Sequence, residues 1–173
     1  MKTIQILKLL TAFAWLVFVG LCVKAGAMLM SLVLSSLFEN QASSLFYTDL
    51  DLSEVYVFSA IAYYSLAVCL LLSALSQAII FFFVIKLCSK VDVQNPFSEH
   101  VSMGLTKISY LSLVVGVASL IGLAVSKWLA EYGLKVNVEW SADAYIFMTC
   151  VLFLLAMFFK RGVEIQKENQ LTI

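Results

Sequence analysis

The chain has 173 residues, of which 62% are hydrophobic and 13% charged, whereas soluble domains average about 45–50% and about 25%. One core cannot bury that excess, because a soluble domain of about 150 residues still exposes about a third of its surface, so lipid is the implied solvent. With 11 basic and 11 acidic residues the formal charge is zero, which excludes a basic nucleic-acid binder, and the apolar content excludes a disordered chain or a secreted disulfide scaffold.

Seven glycines and one proline interrupt the chain rarely. Long apolar runs without period-2 alternation read as helices, the form in which every backbone polar group is satisfied within its own segment in lipid. The expected fold is all-α: an integral membrane four-helix bundle forming a single transmembrane domain over 1–173. Its spans are expected at 9–38, 55–85, 108–126 and 140–159, with a connecting segment 86–107 and a tail 160–173.

The first run, Leu9 to Phe38, is interrupted by Lys24. A lysine charge at a span centre costs at least ~2.5–3.5 kcal/mol. A crossing that starts after Lys8 places Lys24 near the outer headgroups, where it can snorkel; one that starts at Trp15 places it near the midplane. The other spans have no Asp or Glu in their interiors, so a midplane Lys24 finds no carboxylate there, and a snorkelling or interhelical lysine is the favoured reading. Lys2 and Lys8, the apolar run and Ala25-Gly26-Ala27 also match the three parts of a secretory signal. Because the apolar run resumes after Ala27, an uncleaved first helix is expected. Asp49, Asp51 and Glu54 follow, without the glycine and spacing of a calcium loop. Ser53 as a helix cap, with Glu54 in the first turn, accounts for part of that cluster.

The second run, Val55 to Ile85, is uncharged. Ser59, Ala62, Ser65, Cys69, Ser73 and Ser76 recur there at steps of three or four, and the third span has Ser109, Ser112, Gly116, Ser119 and Gly122 at similar steps. Small residues let transmembrane backbones approach closely, so Ser65, Cys69 and Ser73 are expected to pack against Ser112, Gly116 and Ser119. The functional alternative is a polar path through the membrane that includes Lys24, Tyr63 and Gln77. Cys22, Cys69 and Cys150 lie within spans, Cys88 lies near the end of one, and no C-x-x-C occurs. His100 has no metal-ligand spacing to them. No catalytic motif is present, so no enzyme, cofactor or metal is expected.

In the segment before the third span, Asn95-Pro96 ends the preceding helix, and Ser98, or Asn95 with Pro96 in the first turn, can cap the next. Phe97, Val101, Leu105 and Ile108 then share one face. The fourth run, Ala144 to Phe159, reaches only about 24 Å, so residues from Trp140 onward are expected to help cover the bilayer. Beyond it Lys160, Glu164 and Glu168 lie four apart beside Arg161 and Lys167, the pattern of a helix continuing into water. Lys2, Lys8, Lys86, Lys90, Lys107, Lys160, Arg161 and Lys167 fall on one side of the membrane, against Lys127 and Lys135 on the other. Both termini are therefore expected in the cytoplasm.

Asn95-Pro96-Phe97-Ser98, followed by Leu105, Lys107, Ile108 and Tyr110, and the ending Arg161 to Ile173 resemble the DUF2975 family of bacterial membrane proteins. Gln170 and Ile173 replace the family's usual aspartate and valine. The resemblance implies four transmembrane helices in a bacterial cytoplasmic membrane and no established activity. It also implies, as a partner, a small helix-turn-helix regulator often encoded beside members. The expected role is sensing or regulation through Asn95, Pro96, Phe97 and Ser98 and the tail residues Arg161, Glu164, Glu168, Asn169 and Leu171. The alternative is a small transporter or channel subunit. Membrane lipids, a homo-oligomer or the regulator are the expected partners, with no direct nucleic-acid binding.

Overall fold

A computed structural model describes residues 2–37, 52–90 and 98–170. These residues form five helices: α1 Lys2–Leu37, α2 Ser53–Phe58, α3 Ala60–Lys90, α4 Glu99–Glu131 and α5 Ala142–Gln170. Four of them, α1, α3, α4 and α5, are long and apolar enough to cross a membrane. The chain is thus an all-α, multi-pass membrane protein. Asn95, Pro96, Phe97 and Leu171 lie outside the described residues, as do Asp49 and Asp51.

Helix boundaries follow local chemistry. Ser98, in extended conformation, accepts from the Val101 N–H at 3.4 Å and starts α4. The second span starts later than the apolar run suggests. Leu52 is the N-cap residue of the short α2, and the chain becomes extended at Ser59 before α3 begins. Ser59 Oγ accepts from the Ala62 N–H at 3.4 Å. The serine that caps the spanning helix is Ser59, and Ser53 is the first helical residue of α2, because the backbone breaks one short turn into the run. α5 continues to Gln170 as the charge spacing predicts, with an Arg161–Glu164 ion pair at 2.8 Å on its exposed face.

The spanning helices pack in chain order, α1 on α3, α3 on α4 and α4 on α5. α4 buries 44% of its span and α1 only 6%, which makes α4 the interior helix and α1 an outer wall. α1 nonetheless continues unbroken through Ala25-Gly26-Ala27, with Ala25 and Met28 buried in the core. One end of the bundle is basic. There Lys107 Nζ sits 5.6 Å above the Phe83 ring, and Lys167 reaches Glu99 at 3.4 Å. At the other end Phe58, Trp128 and Tyr132 cluster with ring centroids 5.1–6.0 Å apart, where amphipathic rings favour the membrane boundary.

The two small-residue stripes do not simply face each other. Ser112 Oγ donates to the Tyr145 carbonyl of α5 at 3.3 Å, and Gly116 lies beneath Ile146 of α5. Cys69 instead belongs to a buried cluster with Ala25 and Met28 of α1. Ser65 and Ser73 donate to carbonyls of their own helix at 2.8 Å. A stripe of small residues marks a close approach without naming the partner: in α4, Ser112 and Gly116 meet α5, whereas Gly122 meets Trp140.

Contacts between α4 and α5 also fix how far each helix reaches. Tyr145, in the first turn of α5, is level with Ser112 to Gly116, yet α4 continues to Glu131. α4 therefore overtops α5 by roughly 20 Å. Residues 133–141 fill that height as non-helical chain, with a tight turn where the Val138 N–H donates to the Val136 carbonyl at 3.0 Å. Gly133 starts it with φ of +81°, the left-handed conformation that glycine adopts without a Cβ clash. Leu134, Val136, Val138 and the buried Trp140 then pack on the core, while Lys135, Asn137 and Glu139 are exposed between them. Covered and exposed residues thus alternate with period 2 along the segment. Trp140 anchors it: its Nε1 donates to Ser126 Oγ at 2.9 Å, and its ring lies against the α4 backbone at Gly122.

Candidate functional site

Where the non-helical segment meets the helices, a cavity of about 380 Å³ opens. It draws Lys24 and Met28 from α1, Ser73 and Gln77 from α3, Ser119 from α4 and Tyr145 from α5, and residues 137–141 form its remaining wall. Its size falls within the range of small-molecule sites, about 300–1,000 Å³. Its depth follows from the helical rise. Ser119 lies about 18 Å along α4 from Lys107 and about 12 Å from Lys127, and Gln77 lies about 14 Å from Lys86. Against a hydrocarbon core of about 30 Å, the cavity sits well inside the apolar band.

Lys24 therefore belongs near the middle of the membrane, the deeper of the two positions open to it. The sequence offers it no acid within the other spans, yet Glu139 lines the same cavity. Glu139 reaches that depth because the connection between α4 and α5 folds back into the bundle. At the level of the cavity, Gln77 Nε2 donates to Tyr145 Oη at 2.7 Å. That bond ties α3 to α5 across residues far apart in the chain. The first turn of α5 also ends here, and the leading N–H groups of any helix lack intrahelical acceptors and carry partial positive charge. The cavity thus offers a lysine, a carboxylate, two amides, a phenol and three serine hydroxyls around the buried Trp140.

Non-helical backbone at membrane depth is tolerated where protein buries it or where it lines a water-filled space. Residues 137–141 satisfy that rule by lining the cavity. A cavity with this polar lining also spares Lys24 and Glu139 the full cost of placing charge in hydrocarbon.

Not every residue singled out in the sequence joins the site. Tyr63 is fully buried, but it packs edge-on between Tyr56 and Tyr64, with centroids 5.2 and 5.3 Å away, and does not line the cavity. Ser65, Cys69, Ser112 and Gly116 do not line it either, whereas Ser73 and Ser119 do. Of the proposed interaction residues, Ser98 caps α4, and Arg161, Glu164 and Glu168 lie on the last turns of α5. Among the described residues no three His, Cys, Asp or Glu side chains gather as metal ligands.

The model of a family described as a protein of unknown function, DUF2975, matches residues 40–173. The chain belongs to the DUF2975 family. No curated protein and no solved structure matches it. The matched residues include Gln77, Asn137, Glu139, Trp140 and Tyr145, whereas Lys24 and Met28 come from the helix that precedes them. The part of this DUF2975 cavity that sequence reasoning missed is its wall at residues 137–141. Its signal is the alternation from Leu134 to Trp140, in a stretch that the expected spans 108–126 and 140–159 leave almost wholly between them.

Proposed function

We propose that this DUF2975 protein is a non-enzymatic sensor of the bacterial cytoplasmic membrane. It binds a small polar ligand or lipid headgroup in the intramembrane cavity and reports occupancy at its cytoplasmic end. The basic end, with both termini, lies in the cytoplasm in this reading. One observation carries the proposal: Tyr145 stands at the cavity, bonded to Gln77, in the first turn of the helix whose last turns form the charged tail. A ligand that competes for the Gln77 amide or the Tyr145 hydroxyl changes how α5 is held. α5 carries that change to Glu164, Glu168 and the tail, and its pairing with α4 through Lys167 and Glu99 brings in the segment before α4. A ligand shifts such an equilibrium only through its differential affinity for the two arrangements.

The test is capture of a cytoplasmic regulator by the full-length protein in native membranes. Capture lost on deleting residues 164–173 and altered by Gln77→Leu supports the proposal. Capture that ignores both changes, or no partner, contradicts it. A second reading, a small transporter or channel subunit, is favoured by Lys24 and Gln77 lining one cavity. Proteoliposome flux that falls on Lys24→Ala and Gln77→Leu selects it over sensing.

A further inference from the structure

We infer that the basic end of α4 is a binding site for a phosphodiester group, supplied by the headgroup of an anionic phospholipid. Two grooves flank this helix end and share Lys107 and Met103. The groove between α3 and α4, about 60 Å³, brings Lys86, His100 and Lys107 together with no carboxylate in its lining. Gly104 lets the helices close there, since a Cβ at that position would meet the Leu87 side chain at 3.1 Å. The groove between α4 and α5, about 460 Å³, adds Lys160 and the hydroxyl of Tyr110. Its two acids are already engaged, Glu99 by Lys167 at 3.4 Å and Glu164 by Arg161 at 2.8 Å. Lys86, Lys107 and Lys160 remain as cations around one helix end, with no ion-pair partner among the described residues.

Their position favours a lipid over a free anion. Lys107 immediately precedes Ile108, the first residue of the uncharged run of α4, so these ammonium groups lie at headgroup height. From the grooves, exposed Met103, Tyr110, Leu113 and Val114 continue along α4 into the apolar band. An acyl chain can lie on that surface, and inorganic phosphate has no use for it. Basic pockets between transmembrane helices bind anionic headgroups in this way.

The experiment measures thermal stability and retained lipid, by native mass spectrometry, for the full-length protein in detergent. Phosphatidylglycerol, phosphatidylcholine and inorganic phosphate are titrated separately. Saturable stabilisation by phosphatidylglycerol alone is expected, weakened roughly ten-fold or more by Lys107→Gln combined with Lys160→Gln. Lys107→Arg should retain binding. Lys8→Gln, which removes a cation that lines neither groove, should leave it unchanged. Three outcomes would overturn the inference: equal stabilisation by phosphatidylcholine, an equal effect of inorganic phosphate, or as large a loss with Lys8→Gln as with the groove lysines.

Discussion

At Gly122 the missing Cβ lets the Trp140 ring lie directly on the backbone of α4. Gly122→Ala places a methyl group inside that ring, so the indole must move and its bond to Ser126 must stretch or break. The expected cost is about 1–3 kcal/mol, as for other overpacked sites. Thermal unfolding in detergent checks it, and an unchanged midpoint would show that the ring has room to spare. Gln77 and Tyr145 make a second residue-scale prediction. A double-mutant cycle of Gln77→Leu and Tyr145→Phe should show a coupling of about 0.5–1.5 kcal/mol, the range of interhelical hydrogen bonds in membranes; additive losses would mean that the two groups do not act as a pair. The sequence could single out Lys24 and Gln77 because polar groups in apolar runs are conspicuous. It could not pair Gln77 with Tyr145, since that pairing depends on where α5 begins along α4.

For the connecting elements, the decisive feature is the depth of residues 133–141. Val136 packs on the core and Lys135 is exposed, so their substitutions should differ sharply. Val136→Asp places a carboxylate against apolar neighbours and should cost more than ~2 kcal/mol. Lys135→Asp should stay within about 0.5 kcal/mol, as surface changes do. Similar losses in urea or thermal unfolding would remove the distinction between the two faces of the segment. The long helices were legible because their apolar runs exceed what any soluble helix needs, and the charged extension of α5 was legible from its four-residue spacing. The break at Ser59 was not, since Val55 to Ile85 is uniformly apolar and hydropathy carries no mark of a bend. The folded-back segment was hidden for a related reason: Lys135, Glu139 and Asp143 give it the composition of an exterior loop, although Leu134, Val136, Val138 and Trp140 alternate with polar neighbours.

For the whole molecule, the arrangement is three sequential helix pairings with the fourth wall completed partly by α5 and partly by the non-helical segment 133–141. That division creates the cavity. Had α5 begun level with the end of α4, helix against helix would fill the space that Lys24, Gln77 and Glu139 now surround. Apolar composition alone established that the chain crosses lipid, and the family match agrees with that reading, but neither carries information about an interior space. The cavity arises from the offset between two helices, which is a property of packing.

The account rests on water reaching that space, and thiol labelling in intact membranes tests it most directly. With Cys22, Cys69, Cys88 and Cys150 replaced, Gln77→Cys should react with a charged methanethiosulfonate reagent, because the reacting thiolate forms only where water is present. Leu113→Cys, on the exposed apolar face of α4, should stay unlabelled. Labelling of Gln77→Cys within about ten-fold of a fully solvated cysteine is the predicted result. A Gln77→Cys thiol as inert as the one at 113 would contradict it.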